Sequence, residues 1–165
     1  MKKVLFLLLA AMILIPAVSA EASEKDISQS EIISYTEEIG EMYGICPEFI
    51  QAVIEKESLY DPTAENGGCI GLMQISSKWH KDRMARLGVT DLYDPYSNIL
   101  VGTDYIAELY AEARAKGYGD DMYYVLMQYN MNTDTANTLW EAGNYSDYAI
   151  SIADRAAELE AEHGK

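Results

Sequence analysis

Basic side chains are scarce in this sequence: 12 Lys and Arg stand against 27 Asp and Glu, for a formal net charge of −15. Phosphate binding needs clustered Lys and Arg, so nucleic acid and anionic membrane surfaces are excluded as partners. The same charge predicts repulsion from anionic wall polymers. Because the acids are spread along helical stretches, they read as a solvated, soluble surface. Cysteine is limited to Cys46 and Cys69, too few for a disulfide-built scaffold; the two are either a disulfide or small buried apolar residues. The histidines, His80 and His163, lie outside any ligand spacing, so neither a metal nor a cofactor is expected. Strand signals, repeats and low-complexity tracts are almost absent, which leaves a single helical domain.

No apolar run reaches the ~20 residues that a membrane span needs. The run from Val4 to Ile15 follows Lys2 and Lys3 and precedes the small residues Val18 and Ala20. This predicts a secretory signal over residues 1–20, cleaved after Ala20, then a flexible leader over 21–27 and one domain over 28–165. The alternative is an uncleaved anchor helix. Loss of the two lysines brings the charge to about −17. The expected product is a monomer, secreted or in the cell envelope, with no membrane attachment after cleavage.

Within the domain, apolar spacings near 3 and 4 predict helices over about 28–42, 47–58, 77–87, 97–115, 121–130, 133–142 and 146–162. Pro47 suits a first helical turn, Ser146 a cap, and "ENGGCIG" a glycine-rich loop. The fold class is mainly α, with about six or seven helices and little or no β structure.

The segment "QAVIEKESLYDP" holds two glutamates of different kinds. At about 100° per residue, Glu57 lies over Ile50, Val53 and Ile54, whereas Glu55 lies over Glu48, Gln51 and Ala52. Glu57 thus shares the apolar face and Glu55 the polar one. A carboxyl against apolar walls keeps its proton toward neutral pH, as a general acid requires. An ordinary helix-end glutamate satisfied by Lys56 or a tyrosine is the competing reading.

Further motifs follow in order: Glu57-Ser58, Pro62, "GLMQ" at Gly71 to Gln74, "DPYSNILVGTDYI", and "YN" at Tyr129-Asn130. This constellation resembles the catalytic domain of lytic transglycosylases of the soluble-transglycosylase type, in the goose-type lysozyme-like family, over roughly Met42 to Ile150. The resemblance implies a lysozyme-like fold and peptidoglycan strands as partner. It makes Glu57 the sole catalytic acid and places Ser58, Met73, Gln74, Tyr129 and Asn130 at the substrate. Met73 would be an apolar floor or else a plain core residue, Gln74 a hydrogen-bonding residue, Tyr129 an orienting hydroxyl, and Gly71 a point of close backbone approach. Ser58 either braces the helix end or contacts an acetamido group. Asn98 to Gly102 read as packing residues. Among the 13 tyrosines, Tyr60 and Tyr129 are the foremost sugar-stacking candidates. Where the family usually has Ala-Gly after "YN", this chain has Met131-Asn132, and Cys69 stands where a small buried residue is usual.

Hydrolytic glycosidases usually work with two carboxyl groups. Here Asp61 is the best partner in a weak set. The resemblance implies a route that needs none. Glu57 protonates the bond between N-acetylmuramic acid and N-acetylglucosamine, then accepts the proton of the muramyl C6 hydroxyl as it closes on C1, giving a 1,6-anhydro product. A hydrolytic muramidase assisted by Asp61, and a catalytically silent glycan-binding module, are the alternatives.

Overall fold

The computed structural model describes residues 27–165. The expected signal peptide, and the leader except for Ile27, lie outside the described residues. The first helix, α1 (Gln29–Tyr43), is opened by Ser28 in a reciprocal capping box with Glu31 and closed by Gly44 at φ 66°. After one short turn comes α2 (Pro47–Ser58), with its proline in the first turn, where a missing N–H costs nothing. Two left-handed residues, Leu59 at φ 54° and Tyr60 at φ 66°, stop it abruptly.

A miniature antiparallel hairpin follows, β1 (Glu65–Asn66) and β2 (Cys69–Ile70), pairing Glu65 with Ile70 and Asn66 with Cys69. Gly67 and Gly68 both have positive φ, which a two-residue hairpin turn of this kind demands. The remaining helices are α3 (Lys81–Leu87), α4 (Pro95–Ala115), α5 (Met122–Asn130), α6 (Thr133–Glu141) and α7 (Asp147–Glu162). Ser146 caps α7 as expected. The helix predicted over 77–87 begins only at Lys81, because residues 76–80 form a separate turn in which the Trp79 and His80 amides both donate to the Ser76 carbonyl. In the other direction, α4 starts two residues early. Asp94 caps it through the Ser97 amide and Pro95 occupies its first turn.

The core is built around α2, which packs on α1 and α7, with α4 and α5 completing the shell. Phe49, Ile50, Ala52, Val53 and Ile54 are all buried; each large aliphatic among them contributes about 1.5–3 kcal/mol by leaving water. The expected polar face of this helix is a correction. Glu48 and Gln51 are 1% and 2% exposed, so that side faces protein and not solvent. Gln51 is accommodated by donating to the Thr36 hydroxyl at 3.0 Å, which leaves its amide paired as a buried polar group must be. A helix buried on all sides over residues 48–54 sits at the centre of its domain, and its less buried last turn, from Glu55 to Ser58, is where it can present chemistry.

Candidate active site

Glu57 lies in the last turn of α2, half-buried. Burial pushes its carboxyl above the ordinary glutamate range, while a hydrogen bond from Tyr148 and the charge of Lys56 oppose that shift without cancelling it. The Tyr148 hydroxyl, at the start of α7, donates to Glu57 Oε1. Burial, and then the nearby Glu57 charge, hold that phenol in its protonated form. Tyr148 thus acts as a fixed donor, leaving Glu57 Oε2 as the oxygen to carry or receive a proton.

The "GLMQ" segment forms the adjoining wall, and its geometry is set by the protein's own contacts. Asn98, fully buried on α4, donates to the Ile70 and Leu92 carbonyls and accepts from the Met73 amide, each at 2.8 Å. This bears out the packing role read for Asn98. Gly71 has φ 74°, and a Cβ there would lie 2.4 Å from Asn98 Nδ2 and 2.7 Å from the Leu92 carbonyl. The close approach that requires this glycine is therefore to α4 and the loop before it.

Ser58 Oγ lies 2.9 Å from the Leu72 carbonyl and 3.1 Å from the Ile54 carbonyl. Of its two readings, the structure favours the brace between the end of α2 and the "GLMQ" turn. Gln74 adopts φ 49°, and its amide donates to the Ala64 and Gly71 carbonyls, tying the two arms of the hairpin loop. All three non-glycine residues of positive φ among the described residues, Leu59, Tyr60 and Gln74, lie in this neighbourhood. Backbone strain of that kind collects where surrounding contacts over-determine a site.

Tyr129, on α5, donates to the Met73 carbonyl at 2.7 Å. Burial and then the Glu57 charge keep its hydroxyl protonated. Of its two readings Met73 takes the core one: its side chain is 0% exposed and packs on Gly102, where an added Cβ would meet the sulfur at 2.4 Å. It is core here, and only its carbonyl faces Tyr129. Asn130 is exposed at the end of α5, and Tyr60 reaches the Gln51 carbonyl at 3.4 Å.

The other carboxylates stand apart. Glu55 pairs with Arg155 of α7 at 3.0 Å. Asp61 accepts from both the Thr63 amide and hydroxyl, at 2.8 and 2.7 Å, and these bonds hold its carboxyl below the ordinary range. A disulfide is not formed: both cysteines are free. Cys46 precedes the first turn of α2, whereas the Cys69 thiol feels the charge of Glu57 in the last. Twelve helical residues at ~1.5 Å each set those ends about 18 Å apart, far beyond disulfide reach.

Among the described residues, no group of three or more His, Cys, Asp or Glu is arranged to hold a metal ion. A cavity of about 400 Å³ opens at the far end of α2 beside Cys46, Phe49 and Tyr110, and one of about 290 Å³ lies beside Glu55 and Arg155. Glu57 lines neither. Cavity size is a poor guide to the chemistry here, because the desolvated carboxyl with a dedicated donor lies elsewhere.

Sequence reasoning missed Tyr148. Its only local mark is a place in the first turn of α7 behind the Ser146 cap; the contact spans 91 positions and depends on how α7 crosses α2.

A mainly helical, lysozyme-like domain with a desolvated glutamate of raised pKa at a helix end is the class these features define. The sequence model of the transglycosylase SLT domain family matches residues 34–149, and the chain belongs to that family. An endo-type membrane-bound lytic murein transglycosylase A from Citrobacter koseri is 33% identical over 130 residues, covering 74% of this chain and 61% of its own. A transglycosylase of Enterobacteria phage PRD1 is 33% identical over 96 residues, covering 58% and 32%. The chain thus spans less than two thirds of either relative. In fold it resembles the X-ray structure of an inactive mutant of lytic transglycosylase Slt from Pseudomonas aeruginosa, at TM-score 0.67 and 16% identity over 79% of this chain and 24% of that one.

Proposed function

We propose that this domain is a peptidoglycan lytic transglycosylase that uses Glu57 first as acid and then as base. The observation that carries the proposal is the Glu57 carboxyl, raised by burial and holding a fixed phenol donor on one oxygen. Burial keeps the proton available for the glycosidic oxygen. Once ionised, the carboxylate draws the proton from the muramyl C6 hydroxyl, so that the C6 oxygen closes on C1 and no water is consumed. Tyr129 and Gln74 shape the wall of the cleft through the backbone of the "GLMQ" turn. The family and the names of its relatives support the substrate class. We also propose that residues 1–20 direct export and that the enzyme acts outside the cytoplasm, where such a substrate lies.

The hydrolytic reading needs Asp61 to activate water, and both hydrogen bonds from Thr63 argue against that role. Mass spectrometry of digested peptidoglycan separates the two: anhydromuramyl ends are expected, and reducing muramic ends would sink the transglycosylase reading. In parallel, Asp61→Asn keeps turnover within about twofold, since asparagine can make the same turn. A loss of two orders of magnitude would restore Asp61 as a second catalytic carboxyl.

A further inference from the structure

Trp79 is 77% exposed, more than any other aromatic side chain among the described residues for which a large exposed apolar surface is found. It stands in the turn between the "GLMQ" wall and α3, and the ammonium of Lys78 sits 4.9 Å from its ring centroid. An indole left in water costs hydrophobic free energy and invites a flat apolar partner. Its neighbour His80 packs on Tyr105 at 4.7 Å between ring centroids, and Tyr105 packs on Tyr129 at 5.4 Å. Tyr129 in turn feels the charge of Glu57. A row of rings therefore runs from the proposed acid to the turn that exposes Trp79.

Charge marks the same place. In a chain this acidic, residues 78–86 hold four cations, Lys78, Lys81, Arg83 and Arg86, against one acid, Asp82. Arg83 and Arg86 are taken by Asp104 and Glu108. Among the described residues neither Lys78 nor Lys81 forms an ion pair, and Lys78 holds the indole face instead.

We infer that Lys78 and Trp79 form an outer subsite for the glycan strand, with Trp79 stacking on a sugar face and Lys78 pairing with a muramyl carboxylate. The inference rests on the glycan-cleaving reading of the Glu57 site. It also answers the charge problem: a protein that repels anionic polymers over most of its surface keeps unpaired cations where the strand would leave the cleft. A sugar face presents C–H groups to an aromatic ring; the ammonium held over one face of the indole leaves the opposite face for the sugar and stays near enough to meet a carboxylate carried by the strand.

The test uses the full chain carrying Glu57→Gln, with binding measured to muramic-acid glycan strands and to a neutral chito-oligosaccharide. Trp79→Ala weakens both about tenfold and Trp79→Phe restores most of the loss. Lys78→Ala weakens only the anionic strand, about threefold, and that difference disappears at high salt. In the active chain, Trp79→Ala raises KM about tenfold with little change in kcat, as expected for binding shared by ground and transition states. If the Glu57→Gln protein binds both probes and Trp79→Ala changes neither, this inference falls alone. If it binds neither probe, the glycan reading falls and takes the inference with it.

Discussion

The two ends of α2 each hold a glutamate out of bulk water, and they titrate in opposite directions. Burial pushes the Glu48 carboxyl up, but hydrogen bonds from Cys46, Lys165 and His163 outweigh it and hold the group at about 2. Those donors lie 2.9, 2.7 and 2.8 Å away. Glu48 is 1% exposed because side chains that are themselves in water cover it. Glu57 has one neutral phenol and a flanking lysine, and burial prevails. Burial alone therefore does not set protonation; the number and charge of the donors decide it. The charged end fastens α7 to α2, and the end left short of donors holds a carboxyl of raised pKa.

Glu57→Gln should break the comparison most sharply. Loss of the proton carrier lowers wall-clearing turnover by about 10³-fold. Stability moves the other way. A carboxyl whose folded pKa is raised binds its proton more tightly when folded, so it costs stability as pH rises from 4.5 through the folded value. Thermal melts at pH 7 should therefore show Glu57→Gln more stable by roughly 1 kcal/mol, with the gain vanishing below the ordinary glutamate pKa.

Glu48→Gln should do the reverse, losing about 2 kcal/mol at neutral pH while turnover persists. The depressed pKa of Glu48 contributes stability above 4.5 that is lost as pH falls toward about 2; urea melts across that window should show the variant and the parent converging.

Tyr148→Phe sharpens the comparison from the donor side. The Tyr148 bond lowers the Glu57 pKa, so its removal should move the alkaline limb of kcat/KM to higher pH and reduce turnover about tenfold. An unshifted limb would reduce Tyr148 to packing.

Smallest is Glu55→Gln. It breaks a half-exposed pair with Arg155, costing under ~1 kcal/mol in a denaturant melt and leaving turnover unchanged.

Much of this was legible in sequence because its causes are local. Helix ends at Gly44, Pro47 and Ser146 follow from residues that bias their own backbone. The placement of Glu57 over Ile50, Val53 and Ile54 needs only the helical repeat. The same repeat misjudged Gln51 and Glu48: it assigns residues to a face but cannot say what covers that face. Met73 stayed open between floor and core for a related reason, since an apolar residue beside a cleft motif can point either way, and the missing side chain of Gly102 gave it room inside.

By itself, the sequence determined the helical order, the apolar side of α2 on which Glu57 lies and the family, because periodicity, caps and an ordered motif are carried by neighbouring residues. The tertiary structure alone decided that Tyr148 reaches Glu57, that Asn98 clamps the "GLMQ" turn, and that Cys46 and Cys69 lie at opposite ends of a helix. Those facts depend on how α7 and α4 cross α2, and that crossing is set by packing of the whole core.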